Sequence, residues 1–280
     1  MDTLLLIDGS NLLFQMFYGM PSRIFNKDGK PIHGTLGFVG ALLKIIRLTK
    51  PSHVAVLFDG AHHNERKDMD ENYKANRPDY SQMAEEETPF SQLPDIYRAL
   101  KYLQIQYTET TVCETDDVLA SYALAYGKQM QIIISSFDSD FFQLINKNVR
   151  VLRYRGDKTQ ICDENYVLQK LGVKPCLYAD YKCLVGDTAD NIKGVQGIGP
   201  KTAAKLVNTY GCIDRILEKT EEIGQAGMRL SIKNAEERLR INQNLIRLNG
   251  GACMPFSLEE LRYHDLGKTT NETLKAIGLK

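Results

Sequence analysis

No tryptophan occurs in the 280 residues, histidine is limited to five, and neither charge dominates: 35 lysines and arginines stand against 35 aspartates and glutamates. Each shortage excludes something. Zero net charge means no global positive field, so a chain that gripped a polyanion would have to separate its charges by region. The six cysteines (Cys113, Cys162, Cys176, Cys183, Cys212 and Cys253) show no C-x-x-C spacing. That argues against structural zinc and a disulfide scaffold, and leaves reduced thiols in a cytoplasm. The N-terminal apolar run in MDTLLLIDGSN is four residues long, too short for a signal-peptide core or a membrane span. The chain reads as soluble and intracellular.

What is present is ordinary enough to fold: 43% hydrophobic and 25% charged residues suit a packed core, one large domain or a domain with a satellite. Three short apolar runs, Leu4–Ile7, Val54–Phe58 and Gln131–Ser135, read as buried parallel strands. Helical patterns lie between them, as in Phe38–Leu48 and Thr115–Ala125. The alternation predicts an α/β fold with a mostly parallel central sheet flanked by helices. Residues 62–92 interrupt it with a charged insertion, NERKDMDENYKANRPDY and then AEEET. The patch Glu85–Glu87 reads as a solvated helix start. An insertion of this length is a functional lid or disordered. Beyond Gly172 the strand pattern stops, so a core over residues 1–172 and a helical unit over 173–280 are expected.

Acids recur at strand ends and helix starts: Asp8, Asp59, Glu114, Asp116, Asp117, Asp138, Asp140, Asp187 and Asp190. Any one of them has a plain explanation as a helix cap. As a set they fall where parallel sheets gather ligands, at the carboxyl ends of strands. In CETDDVLA the acids open a helix facing inward. In SSFDSDFFQL, Asp138 and Asp140 share a face of an extended segment or open the next helix. In GDTADN a spacing of three puts Asp187 and Asp190 on one face of a helical turn. Converging carboxylates raise one another's pKa unless a cation joins them. No histidine stands in ligand spacing, so oxygen-only donors favour Mg²⁺ or Mn²⁺. More acids than one hexacoordinate ion needs suggests two ions, the arrangement that hydrolyses phosphodiesters.

The string GVQGIGPKTAAKLV follows at once. Gly194, Gly197 and Gly199 permit tight turns and close approach, and Pro200 suits the first turn of a helix. Backbone N–H groups freed there attract an anion, with Lys201 and Thr202 beside it and Lys193 and Lys205 flanking. The string reads as a helix-hairpin-helix over about residues 186–210 that grips phosphate without reading bases.

With LLLIDGSNLLF, VLFDG, YKANRP, ETDDVLA, SFDSDFFQL and GDTADNIKGVQGIGPKTAAKLV in this order over residues 3–210, the chain resembles the 5′-nuclease (flap endonuclease) family. The resemblance is strongest to the nuclease domain of bacterial DNA polymerase I and its stand-alone relatives. It implies a PIN-like, resolvase-like core, a helix-hairpin-helix domain, and cleavage of 5′ flaps and 5′ ends with two divalent ions. It implies that Asp8, Asp59, Glu114 and Asp116 serve the first ion, that Asp117 lies between the two, and that Asp138, Asp140, Asp187 and Asp190 serve the second. All nine are present, whereas some stand-alone relatives lack several second-site acids. A monovalent cation, often potassium, is implied at the hairpin.

The insertion falls where the family has its helical arch. There Lys74 would offset charge on the scissile phosphate, Tyr73 would stack on a base of the frayed end, and Arg66 and Arg77 would bind phosphates. SFDSD replaces the more usual GDKD, and Thr115 stands where alanine is common. The implied substrates are branched, 5′-flap and nicked DNA, with RNA primers open. A monomer in the bacterial cytoplasm near the nucleoid is implied, with no membrane partner. No polymerase sequence follows Lys280, so coupling to one would occur in trans. Two other readings stay open: a catalytically weak branched-DNA clamp, and a metal-dependent phosphatase.

Overall fold

The computed structural model describes residues 2–61 and 65–280. Strand β1 (Thr3–Asp8) contains the run LLLI, and all four of those side chains are buried. It lies parallel between β2 (His53–Asp59) and β4 (Gln131–Ser135), with Leu4 opposite both His53 and Ile132. Outside β2 runs β3 (Gln106–Thr110), and outside β4 run β5 (Val149–Arg153) and the antiparallel edge β6 (Gln160–Cys162). The order is β3-β2-β1-β4-β5-β6. β1, β2 and β4 match the sequence expectation. β3 and β6 lacked an apolar run because they are edge strands and carry polar residues, as in QYTET, while β5 is interior but interrupted by the exposed Arg150 and half-buried Arg153 of VRVLR.

Alternation along the strands splits the core into two faces. Leu5, Ile7, Val54, Val56 and Phe58 pack with helices α1 (Gly9–Gly19) and α2 (His33–Thr49). Leu4, Leu6, Ala55, Leu57, Ile132 and Ile134 point the other way, into the cluster that holds Val118, Leu119 and Tyr122. In the insertion, α3 (Glu65–Met69) is followed by single 3₁₀ turns at Tyr80–Gln82, Glu85–Glu87 and Pro89–Gln92, then by α4 (Leu93–Tyr102). The expected arch at 62–92 is therefore one short helix and turns, with residues 62–64 outside the described residues. Pro78 and Pro89 break longer helices there. Helix α5 (Thr115–Tyr126) backs the sheet.

The remaining helices are α6 (Glu164–Leu171), α7 (Tyr178–Val185), α8 (Pro200–Tyr210), α9 (Ile213–Glu218), α10 (Ala226–Asn234), α11 (Glu236–Ile246) and α12 (Thr270–Ala276). Between α7 and α8 lies a two-residue hairpin, β7 (Gly186–Asp187) with β8 (Ile192–Lys193). The chain past Arg247 turns back onto the first half. Phe256 exchanges hydrogen bonds with Tyr122, the Tyr263 N–H donates to the Ser52 carbonyl, and α12 packs on α2 and α4. Leu274, Ile277 and Leu279 cover an apolar face that those two helices leave open. Residues 173–280 are thus not wholly a separate helical unit. Among the described residues no helix is long and apolar enough to cross a membrane.

Candidate metal and nucleic-acid site

From β1 the chain builds outward through β2 to β3, then returns to place β4 on the other side of β1. A crevice opens at the carboxyl ends of the strands where that direction reverses. Asp8 ends β1, Asp59 ends β2 and Asp138 follows β4. Glu114 and Asp116 join them from the start of α5. These five acids line one cleft of about 800 Å³, together with Lys74, Arg77, Phe14, Tyr80 and Phe90.

Asp8 is both a cap and a site residue. Its carboxylate accepts from the Asn11 N–H at 2.9 Å and from the Ser136 hydroxyl at 2.8 Å. The Asp138 carboxylate accepts from the Asp140 N–H at 2.7 Å, and the Thr115 N–H donates to Asp59 at 3.2 Å. Among the described residues, no lysine or arginine forms an ion pair with Asp8, Asp59, Asp116 or Asp138. Burial and the neighbouring Asp59 push Asp8 up to about 7. Burial, then Asp138, Asp8 and Asp59, hold Asp116 well above the carboxylate range, against an opposing pull from Lys74.

That repulsion sets a pH signature. The folded value of Asp8, about 7, lies above its ordinary 3.8, so the folded chain keeps a proton that the unfolded chain loses. Stability from this group therefore falls as pH rises between those values and is flat above them. In chelator, Asp8→Asn should melt increasingly above wild type from pH 5 to 7, with the gap closing when a divalent ion is added. Calorimetric melts in which the gap does not change with pH would refute the crowding.

A second group stands beside the first. Asp140, Asp187 and Asp190 each present an oxygen within 4.8 Å of the others. Asp187 and Asp190 do not share a helical turn. Gly186, at φ 78°, ends α7; Asp187 closes β7 and Asp190 lies in the turn between β7 and β8. A Cβ at Gly186 or Gly194 would overlap the other strand's backbone. The two groups meet through Asp138 and through the insertion, where the Lys74 N–H donates to the Asp190 carbonyl at 3.0 Å.

Chain cations hold the remaining acids. Glu114 accepts from Arg66 at 2.7 Å, Lys74 at 2.8 Å and the Tyr73 hydroxyl at 3.2 Å. Asp117 does not line the cleft. It binds both terminal nitrogens of Arg66 at 2.9 Å and accepts from the Asn249 N–H at 2.7 Å. Arg77 reaches Asp190 at 2.9 Å, and Lys182 bridges Asp140 and Asp187. Burial would raise Asp187, yet the Lys182 ammonium outweighs it and holds that carboxyl below its usual range. Asp140 is more deeply buried and is pushed up to about 7 despite Lys182.

Two expectations from the resemblance require correction. Arg66 is 9% exposed and paired with Glu114 and Asp117, so it stands as a buried cation and not as one open to a phosphate. Tyr73 is 3% exposed and packs in the core, where its ring has no face open to a base. Lys74 and Arg77 do line the cleft.

At the hairpin, Gly194 is consumed by its approach to the end of α7, while Gly197 and Gly199 face open space. Gly197 has φ 80°, and Gly199 caps α8 with no side chain on its free N–H groups. Lys193, Lys201 and Lys205 are exposed and Thr202 is half-buried. Sequence reading missed Ser136 and Asn11, the partners of Asp8, and Lys182. The signal for Lys182 was a lysine inside YADYKCLV, a helix otherwise mostly buried, because a buried ammonium requires an anion.

The chain matches the model of the 5′-3′ exonuclease N-terminal resolvase-like domain over residues 3–172, and that of the 5′-3′ exonuclease C-terminal SAM fold over 173–269. It is 36% identical over 268 residues to DNA polymerase I of Rhizobium leguminosarum, covering 93% of this chain and 26% of the polymerase. It is 31% identical over 264 residues to the 5′-3′ exonuclease of Aquifex aeolicus, covering 94% and 87%. The bacteriophage T5 flap endonuclease, solved as a pseudo-enzyme–product complex with DNA and metal ions, is similar in fold: TM-score 0.68, 23% identity, 88% of this chain and 89% of that one.

Proposed function

Because the chain belongs to the 5′-3′ exonuclease family, we propose that it is a structure-specific 5′-nuclease, trimming 5′ ends and cutting 5′ flaps of DNA in replication and repair. The observation that carries this is the set Asp8, Asp59, Asp116 and Asp138, unpaired by any described cation at the sheet's switch point. Four such carboxylates repel one another and fit a hard divalent ion, since every donor is oxygen. Mg²⁺ is the ion of choice, with Mn²⁺ able to replace it. Asp140, Asp187 and Asp190 fit a second.

Bound there, the two ions would supply an activated water and charge stabilisation at the leaving oxygen. The chain's own groups do the rest. Lys74 and Arg77 present cations at the cleft where scissile-phosphate charge develops. The exposed Gly197–Gly199 turn and the α8 N-terminus grip the duplex backbone at a fixed offset from the acids, and a potassium ion at this turn is part of the proposal. 5′-flap and nicked DNA are the substrates, RNA primers are included, and the chain acts as a monomer.

An end-labelled 5′-flap, a nicked duplex and a single strand, each with and without Mg²⁺, test this on a gel. Mg²⁺-dependent flap product is expected; flap binding without divalent-dependent product would favour a clamp. Each of Lys193→Ala, Lys201→Ala and Lys205→Ala should weaken flap binding regardless of sequence and reduce the salt slope by about one. Anisotropy titrations at several salt concentrations check it.

A further inference from the structure

The second acid group already contains a cation. The Lys182 ammonium forms ion pairs with Asp140 and, at 2.5 Å, with Asp187, inside the triad whose oxygens converge within 4.8 Å. The residue is 5% exposed, so water screens these contacts little. A divalent ion on the same oxygens would stand within contact distance of the ammonium, and like charges at that range repel strongly in a buried site. The two cations are mutually exclusive.

The displaced ammonium has somewhere to go. Lys182 and Asp187 also line a second cleft, of about 840 Å³, bounded by Gly194, Gly199 and Pro200 of the hairpin and by Arg153 and Lys170 of the core. Its hairpin wall is the uncapped N-terminus of α8, where a bound phosphate would draw an ammonium toward it. We propose that Lys182 is an internal competitor for the second ion: it occupies the Asp140–Asp187–Asp190 position in the DNA-free chain, and loading of that ion moves its ammonium into the adjoining cleft.

The inference rests on the two-ion nuclease reading and deepens it. It makes the second site weak until DNA phosphate at the hairpin offers the lysine another anion. Mn²⁺ binding by calorimetry on the DNA-free full chain tests it. Lys182→Met keeps the length and removes the charge, and should bind the second Mn²⁺ about tenfold or more tightly than wild type. Equal second-ion affinity in the two overturns the competition.

Lys182→Met leaves buried Asp140 and half-buried Asp187 without their counter-charge and could unfold, so a measurement on the wild-type chain runs in parallel. Reductive methylation mapped by mass spectrometry should modify Lys182 several-fold more at saturating Mn²⁺ than in chelator, because the ammonium has left its acids. Unchanged or reduced modification, in a chain that still cuts flaps, overturns the role of Lys182 and leaves the nuclease reading standing. A chain that takes up no divalent ion overturns both.

Discussion

Asp138→Asn should lower flap cleavage by about a thousandfold or more while leaving flap binding within a few-fold of wild type. The asparagine side-chain oxygen still accepts from the Asp140 N–H, a bond now 2.7 Å long, so the SFDSD loop keeps its path. What disappears is the charge at the junction of the two acid groups, where Asp138 raises Asp8, Asp116 and Asp140 alike. The variant should melt at or above the wild-type temperature in chelator, since a repulsive charge has gone. Single-turnover cleavage and binding anisotropy on one flap substrate separate the two effects. Cleavage within about tenfold of wild type would remove Asp138 from the reaction and with it the two-ion scheme.

The largest stability effect should come from Arg66→Met. Arg66 joins Glu114 and Asp117 of the α5 start to the Arg247 carbonyl at the end of α11, with carboxylate partners slightly more buried than it is. Removing the guanidinium strands Asp117 and leaves Glu114 to Lys74 alone, and breaking such a buried pair from one side costs about 3–5 kcal/mol. Asp117→Asn in the same chain should restore part of the loss by removing one stranded charge. Urea unfolding of the single and double variants gives both numbers. A loss under about 1 kcal/mol would mean that Arg66 is as solvated as a surface cation and would return it to the phosphate-binding role implied by the family resemblance.

These two residues mark where sequence reading holds and where it stops. Asp138 stands in a run, SSFDSDFFQL, that follows an apolar strand, and a parallel sheet delivers such a position to its ligand crevice regardless of detail. The identity of Phe137 did not disturb this. Its N–H donates to Asn11 at 3.0 Å and its carbonyl accepts from Arg153 at 2.9 Å, pinning the loop from both sides. Arg66 and Tyr73 lie in an insertion without periodicity, where nothing in the order of residues says which side chains turn inward. Their burial came from Glu114, a residue 48 positions from Arg66 and 41 from Tyr73.

By itself the sequence determined the central strands, the convergence of acids at their carboxyl ends and the glycine turn. Those follow from hydrophobic period, strand polarity and backbone sterics, which act over a few residues or through topology common to all parallel sheets. The tertiary structure alone decided how charge is distributed among the acids. Asp8, Asp59, Asp116 and Asp138 form no ion pair with a described lysine or arginine, Glu114 and Asp117 are held by Arg66, and Asp140 with Asp187 by Lys182. Pairing of charges depends on distances of a few ångströms between segments far apart in the chain, and such distances exist only once both faces of the sheet are packed.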